Sequence, residues 1–141
     1  MAIINRKAKY NYQLFERIEA GVSLLGREAK AIRDKRGDLS NAYVKIIGGE
    51  AFLLNTNLPA DTSGGYNPTR TRKLLLHKSE IVSLQSKIKA KKLTLVPIKM
   101  YTKGRLVKVE IALAKSKRKF EKRQAIKRRD IEREIEKELK G

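Results

Sequence analysis

Between residues 96 and 113, apolar and polar side chains alternate on both sides of a Lys103-Gly104 turn. Val96, Ile98 and Met100 run in on one face, and Val107, Val109, Ile111 and Leu113 run back, with Lys108 and Glu110 facing water. A period of two belongs to a strand, and a glycine suits a two-residue connection, so this stretch predicts an antiparallel hairpin with one buried face. The same logic applies earlier in the chain, where Val44 and Ile46 alternate, Gly48-Gly49 turns, and Phe52 to Leu54 runs back. Tyr12 to Glu19 and Gly21 to Leu24 are further strand candidates.

Helical spacing interrupts the strands twice. Leu25, Ala29 and Ile32 mark one apolar face, with Arg27, Lys30, Arg33 and Lys35 on the other sides and Gly37 as a C-terminal stop. From about Lys78 to Ala90, the residues Ile81, Leu84 and Ile88 form a stripe, with His77 or Ser79 as N-cap and Glu80 in the first turn. Short antiparallel strands with two short helices predict a mainly β fold, an OB-like or Greek-key antiparallel β-barrel over residues 1–119. Residues 120–141 form a basic tail whose only regular apolar repeat is Ile131, Ile135 and Leu139. In that tail bases come first and acids last, against the helix macrodipole, so it is expected to be disordered when free and helical when bound.

Charge narrows the partner. The chain has 141 residues, with 34 Lys and Arg against 15 Asp and Glu, a formal net charge of +19. From Lys115 onward twelve bases meet six acids, a surplus of +6, which leaves +13 on the preceding residues. Self-repulsion of this size is relieved by a polyanion that releases its counterions, so nucleic acid is the first candidate and anionic membrane the second. There is no cysteine, which excludes disulfides and thiolate sites and suits a reducing compartment. No apolar run is long enough for a signal peptide or a membrane span, and a cytoplasmic location is expected.

Catalytic signatures are missing: His77 is the single histidine, and there is no P-loop, no His-Glu-x-x-His and no close acidic cluster for paired metals. A binding protein without a cofactor or metal is expected, and not an enzyme. A ribosomal protein with a basic extension is the runner-up.

Several segments are candidate RNA contacts. Asn5-Arg6-Lys7-Ala8-Lys9-Tyr10 mixes bases, an amide and an aromatic, although it also reads as an ordinary basic terminus. Arg70 and Arg72 alternate in an extended segment with Thr71 and Lys73, a phosphate clamp or else a solvated face, pinned by Leu74-Leu75-Leu76. Glu19 and Glu28 are acids within a basic surface, able to accept from base amino groups or to orient arginines; an intrahelical pair is the alternative for Glu28. Tyr66, ending the loop from Thr56 to Asn67, either stacks on a base or covers the barrel end.

These motifs resemble the SsrA-binding protein (small protein B) family over nearly the whole chain. The resemblance rests on Asn5-Arg6-Lys7-Ala8, Glu19-Ala20-Gly21, Gly26-Arg27-Glu28-Ala29-Lys30 and Gly49-Glu50-Ala51-Phe52-Leu53. Pro68 to Leu76 followed by His77 is its most specific stretch, and Leu113 to Arg123 looks like the junction between barrel and tail. Ser116 stands where the family usually has glycine, Glu121 where it has aspartate, and Tyr10 where histidine is common. The resemblance implies an OB-like barrel that binds the tRNA-like domain of transfer-messenger RNA and delivers it to stalled ribosomes for trans-translation; a monomer is expected. Elongation factor Tu takes part indirectly. Carried onto this chain, it implies Asn5, Glu19 and Leu75 as RNA-binding residues and Lys30, Arg33, Arg70, Arg72 and Lys73 as backbone contacts. It also implies that the tail enters the messenger channel. Phe120, Glu121, Lys122 and Arg123, preceded by Lys115 and Lys117, would then meet the decoding centre, with Ile131, Ile135 and Leu139 along the channel helix.

Overall fold

The computed structural model describes residues 2–117 together with Arg133. In chain order these residues form β1 (Ala2–Ile4), α1 (Ala8–Asn11), β2 (Tyr12–Val22), α2 (Gly26–Arg33), β3 (Tyr43–Ile47) and β4 (Glu50–Leu54). A 3₁₀ turn (Ser63–Gly65) is followed by β5 (Arg72–Leu75), α3 (Lys78–Lys91), β6 (Thr94–Lys103) and β7 (Leu106–Ser116). The sheet order is β1-β6-β3-β4-β5-β2-β7, every pairing is antiparallel, and β7 pairs back onto β6. The strands β6, β3, β4, β5, β2 and β7 therefore close into a ring, the barrel that the short alternating segments predict, and the short β1, paired only with β6, keeps a free edge.

Both expected hairpins are present. Gly48 and Gly49 take φ of +60° and +76° between Ile47 and its partner Glu50, the left-handed pair that a tight hairpin turn needs. In the second hairpin Lys103 pairs with Leu106, so the turn residues are Gly104-Arg105 rather than Lys103-Gly104. Gly104, with φ +64°, still supplies the special conformation.

The barrel core is built from inward residues of every strand, among them Leu53, Leu74, Leu95, Met100, Val109 and Ile111. Val96, Ile98 and Met100 do not share one face. Pairing between β6 and β7 shifts between Pro97 and Lys99, which leaves Met100 in the main core. Val96 and Ile98 instead join Ala8, Ala112 and Ala114 in a smaller cluster beneath α1. Proline lacks the N–H that a ladder position needs, and a bulge is where a sheet tolerates it. Asn5 seals this bulge: its Nδ2 donates to the Pro97 carbonyl at 2.8 Å, and its backbone N–H donates to the Ile98 carbonyl at 2.7 Å.

The buried face of α2 is Glu28, Ala31 and Ile32, not Leu25, Ala29 and Ile32; Leu25 is the exposed N-cap. The helix ends at Arg33, and Lys35 rather than Gly37 takes the left-handed conformation, with φ +56°. Gly37 serves close packing, since a Cβ there would lie 2.4 Å from Ile3 Cδ1 and 2.9 Å from Leu58 Cδ2. Helix α3 follows the expected pattern. His77 is its N-cap, Ile81 and Leu84 are buried, and Glu80 Oε1 accepts the His77 N–H at 3.0 Å.

Candidate nucleic-acid interface

The expected basic residues fall on three separate parts of the barrel. The first, between α2 and β5, is closed to solvent. Glu28 is fully buried; its Oε1 accepts the Leu25 N–H at 2.8 Å, and its Oε2 accepts Nε of Arg70 at 3.0 Å and Nε of Arg72 at 2.7 Å. Arg70 Nη2 closes a second bond to Oε1, so its fork grips both carboxylate oxygens. Arg72, also fully buried, spends its remaining donors on the Thr56 carbonyl at 2.6 Å, the Pro68 carbonyl at 2.9 Å and the Tyr66 hydroxyl at 3.1 Å. Burial alone would push the Glu28 carboxyl up, but the hydrogen bonds from Arg70, the Leu25 N–H and Arg72 outweigh it and hold the group below the ordinary glutamate range.

This geometry corrects two site assignments. Arg72 cannot clamp a phosphate, and Glu28 cannot accept from a base, because each is the other's buried counter-ion. Nor is Glu28 an intrahelical partner, since its cations come from β5 and the segment before it. Tyr66 packs onto the same cluster: its hydroxyl donates to the Leu58 carbonyl at 2.7 Å, and the Arg27 guanidinium lies 5.2 Å from its ring centre. Arg27 also donates to the Asp61 carbonyl at 2.7 Å and the Ser63 carbonyl at 3.0 Å, which fastens the loop to α2. Thr71 is exposed, and Arg70 is only partly accessible.

The second part is an open groove at one end of the barrel, lined by Glu19, Gly21, Lys73, Leu75, His77 and Lys108 and rimmed by the Gly48-Gly49 turn. Antiparallel register explains the grouping. Tyr101 pairs with Lys108, Lys108 with Gly21, and Gly21 with Leu75, so one row crosses β6, β7, β2 and β5. Leu75 is 56 % exposed, large for a leucine, and Gly21 makes room beside it, since a Cβ there would lie 3.2 Å from Leu75 Cβ. In the next row Glu19 stands directly opposite Glu110. The two acids avoid repulsion by taking different partners: Arg17 at 3.2 Å and Lys99 at 3.6 Å for Glu110, and Tyr101 with Lys103 for Glu19. The Tyr101 hydrogen bond, against a smaller burial effect, with the Lys103 and Lys108 charges, holds the Glu19 carboxyl below its usual range. Lys73 and Glu50 pair at the rim, 3.2 Å apart.

Of the three residues that the resemblance groups, Asn5, Glu19 and Leu75, the structure brings the last two together; no sign in the sequence points to Tyr101, Lys103 and Lys108. Their alternation reads as an ordinary wet strand face, and only the register places them beside Glu19.

The third part lies at the opposite end. Tyr12 and Gly21 are the far ends of one strand, about 30 Å apart at the usual strand rise. Near Tyr12 a cleft gathers Asn5, Lys7, Asn11, Ser40, Asn41 and Tyr43. Asn5 is therefore neither beside Glu19 nor exposed; its side chain serves the Pro97 bulge. Arg6 and Lys7 are exposed next to it. The end of β7 emerges here, where the Lys117 N–H donates to the Asn11 carbonyl at 2.9 Å and Lys117 Nζ donates to the Lys9 carbonyl at 2.9 Å. Lys115 is exposed, as are Lys30 and Arg33 on α2. Phe120, Glu121, Lys122, Arg123, Ile131, Ile135 and Leu139 lie outside the described residues.

Among the described residues no helix is long and apolar enough to cross a membrane, and no group of three or more His, Cys, Asp or Glu is disposed to hold a metal ion.

Relatives of known type carry the same framework. The family model for SmpB protein matches residues 2–141. An SsrA-binding protein of a Sulfurihydrogenibium species is 49% identical over 97% of this chain and 92% of its own length. One from Malacoplasma penetrans is 47% identical over 98% of this chain and 97% of its own length. Among solved structures, a chain described under "tmRNA-SmpB: a journey to the center of the bacterial ribosome" superposes with a TM-score of 0.69 at 36% identity, covering 89% of this chain and 94% of that one. With the family model spanning its length and relatives close to half identical, the chain belongs to the SmpB family of SsrA-binding proteins.

Proposed function

We propose that this protein binds the tRNA-like domain of transfer-messenger RNA through the groove around Glu19 and Leu75, and brings that RNA to stalled ribosomes for trans-translation. The observation that carries this reading is the separation of two basic ends. The groove with Lys73 and Lys108 lies at one end of β2, and the root of the basic tail lies about 30 Å away at the other. One small barrel can then hold a folded RNA at one end and reach a second RNA surface from the other. The solved relative in the tmRNA–ribosome setting and the SsrA-binding relatives support the two partners, transfer-messenger RNA and the ribosome.

Residues 120–141 serve as the ribosome-directed tail, with Phe120 to Arg123 at the decoding centre and Ile131, Ile135 and Leu139 in the messenger channel. Elongation factor Tu enters through the RNA it carries. The test is a pair of measurements on the full chain and on a chain ending before Phe120. Both should bind the isolated tRNA-like domain, with affinity falling steeply as salt rises, and only the full chain should support peptide tagging on stalled ribosomes. Equal affinity for any duplex of similar length, or loss of RNA binding with the tail, would overturn the reading.

A further inference from the structure

An exposed glutamate among lysines has a default fate: its flexible side chain folds onto the nearest ammonium and its charge is spent there. Glu19 is placed for that fate, with Lys103 and Lys108 both close enough to act on its charge. Only one of its two oxygens meets it. The Tyr101 hydroxyl, reaching over β7 from β6, donates to Glu19 Oε2, while Lys103 Nζ stands 3.4 Å from Oε1, at the long limit of a hydrogen bond. Tyr101 is itself fixed, paired on one side with Ala2 of β1 and on the other with Lys108 of β7, and Lys99 Nζ lies 5.3 Å from its ring centre. The neutral donor orients the carboxylate and leaves the charge on its own oxygen unspent, while the long Lys103 pair takes up part of the charge on the other.

We propose that Tyr101 is a positioning residue for RNA recognition, fixing the Glu19 carboxylate over β7, across β2 from the Gly21–Leu75 ledge, so that it accepts from the amino group of a nucleobase lying on that ledge. The ledge supplies the other half of the recognition. Leu75 offers an exposed apolar platform beside a residue without a Cβ, where the face of a base can lie while its amino edge meets the carboxylate. Lys108, in the same row as the ledge, suits a flanking phosphate. The inference rests on the reading of this groove as the RNA site.

The test measures the affinity of the full chain for the tRNA-like domain of transfer-messenger RNA in four forms: wild type, Tyr101→Phe, Glu19→Gln, and both together. Tyr101→Phe keeps the ring and its Lys99 contact and removes one hydrogen bond. It should weaken binding roughly fivefold without changing the salt slope, since no phosphate contact is lost. In the Glu19→Gln background the same change should have no further effect, and the thermal midpoint should stay within about two degrees throughout. An equal loss in both backgrounds would make Tyr101 a direct RNA contact, and a loss that tracks the thermal midpoint would make it structural; either overturns the proposal. Loss with Glu19→Gln but none with Tyr101→Phe overturns the positioning role alone. Undiminished binding by Glu19→Gln overturns the groove reading itself.

Discussion

Glu28 and Arg72 form an ion pair from which water is excluded on both sides: each side chain is 0 % exposed, and Nε and Nη2 of the arginine lie 2.7 and 2.5 Å from the same carboxylate oxygen. Such a pair is costly to assemble and costlier to break, because removing one member leaves a charge with no solvent to turn to. Arg72 also ties three segments together through the Thr56 and Pro68 carbonyls and the Tyr66 hydroxyl.

Glu28→Gln and Arg72→Ala are therefore each expected to destabilise the fold by about 3 to 5 kcal/mol. Arg72→Lys should not rescue, since a single ammonium cannot reproduce the planar fork. Denaturant unfolding at neutral pH measures this. A cost below about 1 kcal/mol, the range of an exposed pair, would mean the cluster opens to water in solution.

The same pair sets an acid limit. Glu28 is held below its ordinary value of 4.5, so its contribution to stability is fully present above that value and is lost as pH falls through the depressed folded value. Wild type and Glu28→Gln should differ most near neutrality and converge as pH drops below the ordinary glutamate range. A gap that stays constant down to the acid unfolding of the wild type would show that Glu28 is not ionised in the folded protein.

How much of this was legible in the sequence depends on whether the signal was local. The Gly48-Gly49 and Gly104 hairpins and the stripe of α3 are local patterns, and the structure keeps them, the second turn one residue later. Failures came where a residue obeyed a partner far along the chain. Glu28 occupies a position that the apolar pattern reserves for a hydrophobe, because Arg70 and Arg72 arrive from more than forty residues away to neutralise it; the predicted stripe on α2 slipped accordingly. Alternation extended through Pro97 puts Val96 and Met100 on one face, but that proline marks a bulge. Arg70 and Arg72 looked like a clamp since sequence cannot tell a solvated guanidinium from a buried one. Tyr101 carried no signal of its own, as its importance comes from the β6–β7–β2 register.

Asn5 illustrates the difference in a testable way. Its side chain is bonded to the Pro97 carbonyl and lies at the opposite end of β2 from Glu19. Asn5→Ala should cost about 1 to 2 kcal/mol in urea unfolding, the scale of one buried hydrogen bond with its acceptor left unpaired. Affinity for the tRNA-like domain, measured well below the unfolding midpoint, should stay within about twofold of wild type. Weakened RNA binding at unchanged stability would return Asn5 to the RNA surface.

Tyr101 offers a readout that needs no RNA. Burial first, then its bond to Glu19 and the charges of Glu19 and Glu110, push its phenol up to about 12 from an ordinary 10.0. Because the folded value lies above the unfolded one, its contribution to stability is complete below pH 10.0 and is lost as pH rises through about 12. Tyr66 is also raised, by burial and then by the Glu28 charge, so the phases of an alkaline absorbance titration must be assigned by variants. The last phase should disappear in Tyr101→Phe and move down toward the ordinary tyrosine range in Glu19→Gln. In Glu28→Gln it should stay where it is, because Glu28 is not among the groups acting on Tyr101. Should the last phase survive Tyr101→Phe, or ignore the loss of the Glu19 charge, the hydroxyl is not held by that carboxylate and the orientation of Glu19 needs another cause.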